Sequence, residues 1–187
     1  YTPTTFGAIA GRDVKVLFDP IRYTPMHEWH KKHTKEFENV GQWKRPWYFP
    51  KVSEGMEQAV ARECLAVRNK VGILDASTLG KIDVKGKDAL EFLNRVYTND
   101  FTSLTPGRCR YGLMLKEDGM IFDDGVCACI DKNHYLIHTT TGGAANVLSW
   151  LEMWKQTEWP ELEVFLTSVT DVWATATISG PNSRKVI

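Results

Sequence analysis

YGLMLKEDGMIFDDG, running from Tyr111 to Gly125, has the form of a β-hairpin. Lys116-Glu117-Asp118-Gly119 is a turn cluster between two runs that alternate as strands do. In the second arm Met120, Phe122, Val126, Ala128 and Ile130 share one phase of the period-2 pattern, and Asp124 falls on the same phase. Adjacent Asp123 falls on the opposite face, beside Cys127, Cys129 and Asp131. The pattern therefore predicts a buried Asp124 and a more exposed Asp123. A carboxylate on the apolar side of a strand is costly unless it is hydrogen-bonded, neutralised or given a ligand. Asp124 is thus either a functional carboxylate or a structural one that caps a neighbouring turn.

Outward from the hairpin, Leu74 to Val126 reads LDASTLGKIDVKGKDALEFLNRVYTNDFTSLTPGRCRYGLMLKEDGMIFDDGV, and SGP stands at Ser179 to Pro181. The spaced set LDxS, GK, VxG, DA, TND, PG, DD and SGP resembles the folate-binding aminomethyltransferase family, to which the glycine cleavage T-protein belongs. The resemblance covers nearly the whole chain from Thr24 onward. RYTPMHEWH (Arg22 to His30) and VGQWKRPWYFP (Val40 to Pro50) are most similar to the branch formed by the α subunits of heterotetrameric sarcosine oxidases.

Composition sets the outer bounds. With 43% apolar and 25% charged residues, the 187-residue chain has the make-up of a globular domain with a sizeable core. Lys plus Arg equals Asp plus Glu at 23 each, which gives no electrostatic case for nucleic acid or an anionic membrane. No apolar run reaches membrane-spanning length and no signal-peptide pattern opens the chain, so cytoplasm is the expected compartment. The four cysteines, Cys64, Cys109, Cys127 and Cys129, lack the paired spacing of a zinc site and are expected to be small core residues. His27, His30 and His33 are three apart, but no carboxylate pattern beside them calls for a metal, and none is expected.

Tyr1 to Arg22 shows little helical periodicity and reads as an extended connector, residues 1–23, from an upstream domain. Thr24 suits an N-cap and Pro25 a first helical position. A helix is expected from there to about Asn39, with Met26, Trp29, His33 and Phe37 inward and Gly41 closing it. Gln42 to Pro50, QWKRPWYFP, reads as an aromatic and cationic loop, either packed on the core or serving as a contact surface or one wall of the ligand pocket. A second helix is expected from Ser53, with Met56, Val60, Cys64, Val67 and Val71 inward and Gly72 at its end. Strands are expected over Ile73–Ser77 and Lys81–Lys85, then a helix over Asp88–Val96. Beyond the hairpin come a strand over His134–Thr139, a turn Thr140-Thr141-Gly142-Gly143, a helix to about Lys155, and strands over Glu163–Thr170 and Val172–Ser179. The last residues, SGPNSRKVI, are expected to enter a helix. Strand, hydroxyl- and glycine-rich turn, then helix is a geometry that offers backbone N–H groups to an anion or a polar ring edge.

The fold class expected is α+β: largely antiparallel sheets covered by four or five helices. The resemblance implies the T-protein-like folate-binding fold, with residues 24–187 as its first part and a C-terminal remainder missing. It implies tetrahydrofolate as the one-carbon acceptor and Asp124 as the catalytic carboxylate at the reacting folate nitrogens. Tyr111 would line the same pocket, and Thr140 and Thr141 would contact the folate ring where the family usually shows Asn or Ser. It further implies partner subunits of a sarcosine oxidase, including a flavin-bearing β subunit. FAD, FMN and NAD would sit elsewhere in that assembly, because no GxGxxG fingerprint occurs in this chain. A glycine cleavage T-protein-like aminomethyltransferase, or a non-catalytic folate-binding assembly module, are the alternatives.

Overall fold

The computed structural model describes residues 3–10 and 21–187. Most of the expected connector, residues 11–20 and the first two, lies outside the described residues. Within it a short helix α1 (Phe6–Ala10) forms where extended chain is expected. Strand β1 (Arg22–Tyr23) leads to helix α2 (His27–His33), which is shorter than the periodicity predicts. The chain turns extended at Thr34, whose hydroxyl donates to the Tyr48 carbonyl at 2.8 Å and accepts from the Glu36 amide at 3.0 Å. Such local bonding competes with helix continuation. The following residues pair instead as an antiparallel hairpin, β2 (Phe37–Val40) and β3 (Trp43–Pro46), with Gly41 at φ +58° in the turn.

The aromatic loop is therefore partly strand. Trp43 is buried and Arg22 lies over its ring, while Trp47 is half exposed. Helix α3 (Met56–Asn69) follows as expected, but its predicted inward stripe is wrong. Met56, Val60, Cys64 and Val67 are all exposed and Ala59 alone is buried.

The remaining elements are β4 (Gly72–Asp75), β5 (Gly80–Lys85), α4 (Ala89–Val96), β6 (Cys109–Leu115), β7 (Ile121–Asp131), β8 (His134–Thr139), α5 (Ala144–Thr157), β9 (Phe165–Ser168) and β10 (Ala176–Ser179). A three-residue 3₁₀ turn, Ser183–Lys185, stands where a helix is expected. The described strands form three sheets: β1-β3-β2, β10-β4, and a five-stranded antiparallel sheet ordered β6-β7-β8-β5-β9. The α+β class with antiparallel sheets and covering helices holds.

The core lies on one face of the five-stranded sheet. Phe92, Leu93 and Val96 of α4 and Val147 and Leu151 of α5 pack there against Ile82, Val84, Met114, Cys127, Cys129 and Ile137. Cys127 and Cys129 are core residues as expected, and burial pushes the Cys127 thiol up to about 12; Cys64 and Cys109 are exposed instead. The opposite face is open among the described residues, with Tyr111, Val126 and Ile130 each more than a third exposed.

Candidate functional site

The hairpin places the site. Strands β6 and β7 pair in antiparallel register, Tyr111 opposite Val126 and Leu113 opposite Asp124, with Gly119 at φ +80° closing the turn. The register shifts between Met114 and Leu115: Met114 faces Asp123, Leu115 faces Ile121, and Phe122 bulges between them. A bulge breaks the period of two. Phe122 is thereby carried to the helical side, where it meets the Trp150 ring at 5.0 Å.

Burial falls on the cysteine face, the side that α4 and α5 cover, and this overturns the prediction for the two carboxylates. Asp123 is the buried one, 4% exposed, on the face covered by α4 and α5. Asp124 is half-buried and stands on the open face. There its Oδ2 accepts the Tyr111 hydroxyl. That bond, more than the partial burial, holds the Tyr111 phenol above its ordinary value, so Tyr111 stays a donor. Asp124 and Tyr111, two of the residues singled out from sequence, are therefore joined across the hairpin.

One of the turn's backbone donors, the Thr140 amide, is already taken. It donates to the Asp123 carboxylate, 3.2 Å to Oδ2 and 3.4 Å to Oδ1. The chain thus supplies its own anion at the start of α5. The Thr141 hydroxyl is within 3.0 Å of the Thr78 hydroxyl. Thr140 thus lies beside β7, the strand that carries Asp124.

His138 is a residue the sequence reading passed over. It lies opposite Lys81 across β8 and β5, and its Nδ1 donates to the Val126 carbonyl at 3.2 Å. A carbonyl only accepts, so the proton of the neutral ring is on Nδ1 and Nε2 is left as an acceptor. Burial lowers the His138 pKa, and Lys81 adds to this against the Val126 bond. Only its even spacing from Leu136 and His134, on a strand next to Asp124, could have drawn attention to it.

The three histidines of α2 do not gather. His30 is buried and bonds Asp75 at 2.8 Å, and His33 bonds the Trp29 carbonyl. Among the described residues no three His, Cys, Asp or Glu side chains cluster as a metal site.

A half-buried carboxylate and a phenol, on a sheet face otherwise lined by Leu113, Val126 and His138, can hold the polar edge of a flat heterocycle and move a proton on it. Comparison with known proteins agrees with the class. The family described as GCVT N-terminal domain matches residues 26–187, and the chain belongs to it. The chain is 62% identical over all its 187 residues to sarcosine oxidase subunit alpha of Corynebacterium sp. (strain U-96), covering 19% of that protein. It is 31% identical to an aminomethyltransferase of Bacillus velezensis, over 89% of this chain and 42% of that one. The crystal structure of glycine cleavage system aminomethyltransferase T from Bartonella henselae superposes with a TM-score of 0.76 at 24% identity, over 89% of this chain and 42% of that one, and so shares the fold. The chain spans about a fifth of the length of the sarcosine oxidase relatives it matches.

Proposed function

We propose that this chain is the tetrahydrofolate-binding, aminomethyltransferase part of a sarcosine oxidase α subunit. In this reading a flavin site in another part of the assembly oxidises the N-methyl group of sarcosine. The one-carbon unit then passes to tetrahydrofolate, giving 5,10-methylenetetrahydrofolate and glycine. FAD, FMN and NAD belong to that wider assembly, together with the flavin-bearing β subunit.

The observation that carries the reading is the Asp124–Tyr111 pair, standing on the open sheet face rather than in the core. Tetrahydrofolate supplies two nucleophilic nitrogens, and each must shed a proton as it bonds carbon. The Asp124 carboxylate accepts that proton, and the Tyr111 hydroxyl steadies the carboxylate as it gains and loses charge. Thr140 and Thr141 border the ring edge. Burial of the open face under the rest of a longer subunit would exclude water from the reacting carbon.

The test uses the assembled enzyme with its full-length subunit. Asp124→Asn is expected to slow methylenetetrahydrofolate formation by about 100- to 10,000-fold while sarcosine oxidation proceeds at the wild-type rate. Loss of both activities together, or of neither, would count against the division of labour.

A further inference from the structure

Asp123 is buried, and among the described residues no cation pairs with it and its carboxylate has one hydrogen-bond partner, the Thr140 amide. Such a group is costly in a core unless hydrogen bonds or a favourable dipole meet it. The start of α5 meets part of that cost. A Cβ built on Gly143, the N-cap of α5, would come 3.3 Å from Asp123 Oδ1, so the carboxylate lies against the positive end of the helix dipole.

The next two residues are also held, each by a different element. Asp124 accepts the Tyr111 hydroxyl from β6. Gly125 runs so close to β8 that a Cβ there would lie 1.9 Å from the His138 carbonyl oxygen. Three consecutive residues of β7 are thus held by the turn ahead of α5, by β6 and by β8.

We infer that Asp123 is a positioning residue for the transfer reaction. Its bond to the Thr140 amide ties β7 to the turn between β8 and α5, and this sets where the Asp124 carboxylate stands beside Tyr111. The inference rests on the proposed proton-accepting role of Asp124. Without the anchor, β7 at Asp123 is held by its pairing with β6 alone, and the Asp124 carboxylate can shift off its bond. A displacement of about 1 Å in a reacting group costs on the order of 100-fold in rate.

A double-mutant cycle on single-turnover transfer in the assembled full-length enzyme tests this. Asp123→Ala is expected to slow transfer by about 10- to 100-fold with sarcosine oxidation intact. Asp123→Asn keeps an acceptor for the Thr140 amide and is expected to retain most of the rate. In an Asp124→Asn background, Asp123→Ala is expected to add almost nothing, because both changes remove one proton transfer. A second variant covers the case in which Asp123→Ala fails to assemble. Gly143→Ala sets a Cβ 2.5 Å from Thr140 Oγ1 and 3.3 Å from Asp123 Oδ1, which disturbs the anchor without touching a charge. It should give the same transfer-selective loss. Full transfer in either variant, or fully multiplicative losses in the double mutant, would overturn the positioning role while leaving Asp124 in place. Wild-type transfer by Asp124→Asn alone would remove the reading beneath it as well.

Discussion

At the scale of single residues, the chemistry turns on which of two adjacent carboxylates faces which side. Counting apolar neighbours along β7 puts Asp124 inside, because Met120 and Phe122 are counted in phase with Val126, Ala128 and Ile130. The bulge at Phe122 breaks that count, and burial follows the cysteine face, where Met114, Ile137 and Ile82 lie alongside. A bulge depends on cross-strand register, which one strand's pattern does not contain. The identity of the DD pair and of Tyr111 was legible; which partner each would take was not. His138 carries a prediction at this scale. Its folded pKa lies below the ordinary value, so the unfolded chain binds more protons as the pH falls through the mid-6 range. Its share of stability is present above that range and is lost below it. The urea midpoint of His138→Gln should therefore drop less than wild type between neutral pH and about pH 5. An equal drop would show that His138 is as easily protonated in the fold as outside it.

At the scale of elements, the sequence marks those whose signals are local. The hairpin turn, α4 behind Asp88, β8, and α5 after the double glycine all form where expected. Helix α2 overruns in the sequence reading because its end depends on the β2–β3 pairing and on the Thr34 bonds, both non-local. What ties α2 to the rest is a buried pair. His30 Nε2 meets Asp75 Oδ2 of β4 at 2.8 Å, and Asp75 Oδ1 accepts the Ser77 amide at 3.0 Å. Burial raises the Asp75 pKa, but the hydrogen bonds from Ser77 and His30 outweigh it, so the carboxyl stays below its ordinary value. Nearby Lys81 is fully buried and donates to the Ser77 and Leu79 carbonyls, both at 2.9 Å. Removing one side of a bond to a buried charged group costs about 1.5–3 kcal/mol, and His30→Ala is expected to lower stability by that amount in urea unfolding. A shift near zero would mean that water replaces the imidazole and that the pair does not fasten the helix.

At the scale of the whole molecule, one face of the five-stranded sheet is sealed by α4 and α5, and among the described residues the other is open at its β6–β7 end, with Tyr111 and Asp124 on it. The α3 stripe, Ile73, Leu74, Trp29 and Trp47 are exposed as well. The sequence signals the α3 stripe and Trp29 as inward and the Trp47 loop as core-packed or contact-forming, and their pattern says apolar without saying what covers them. Among the described residues no helix is long and apolar enough to cross a membrane. The central claim is that the open face, through Asp124, receives tetrahydrofolate. The most direct check is a crystal structure of the assembled, full-length enzyme with tetrahydrofolate bound. The account predicts the folate lying over β6 and β7, with an Asp124 oxygen about 2.6–3.2 Å from a reacting nitrogen or one water away from it. Folate seated elsewhere, with Asp124 and Tyr111 paired to each other and untouched by the ligand, would contradict it.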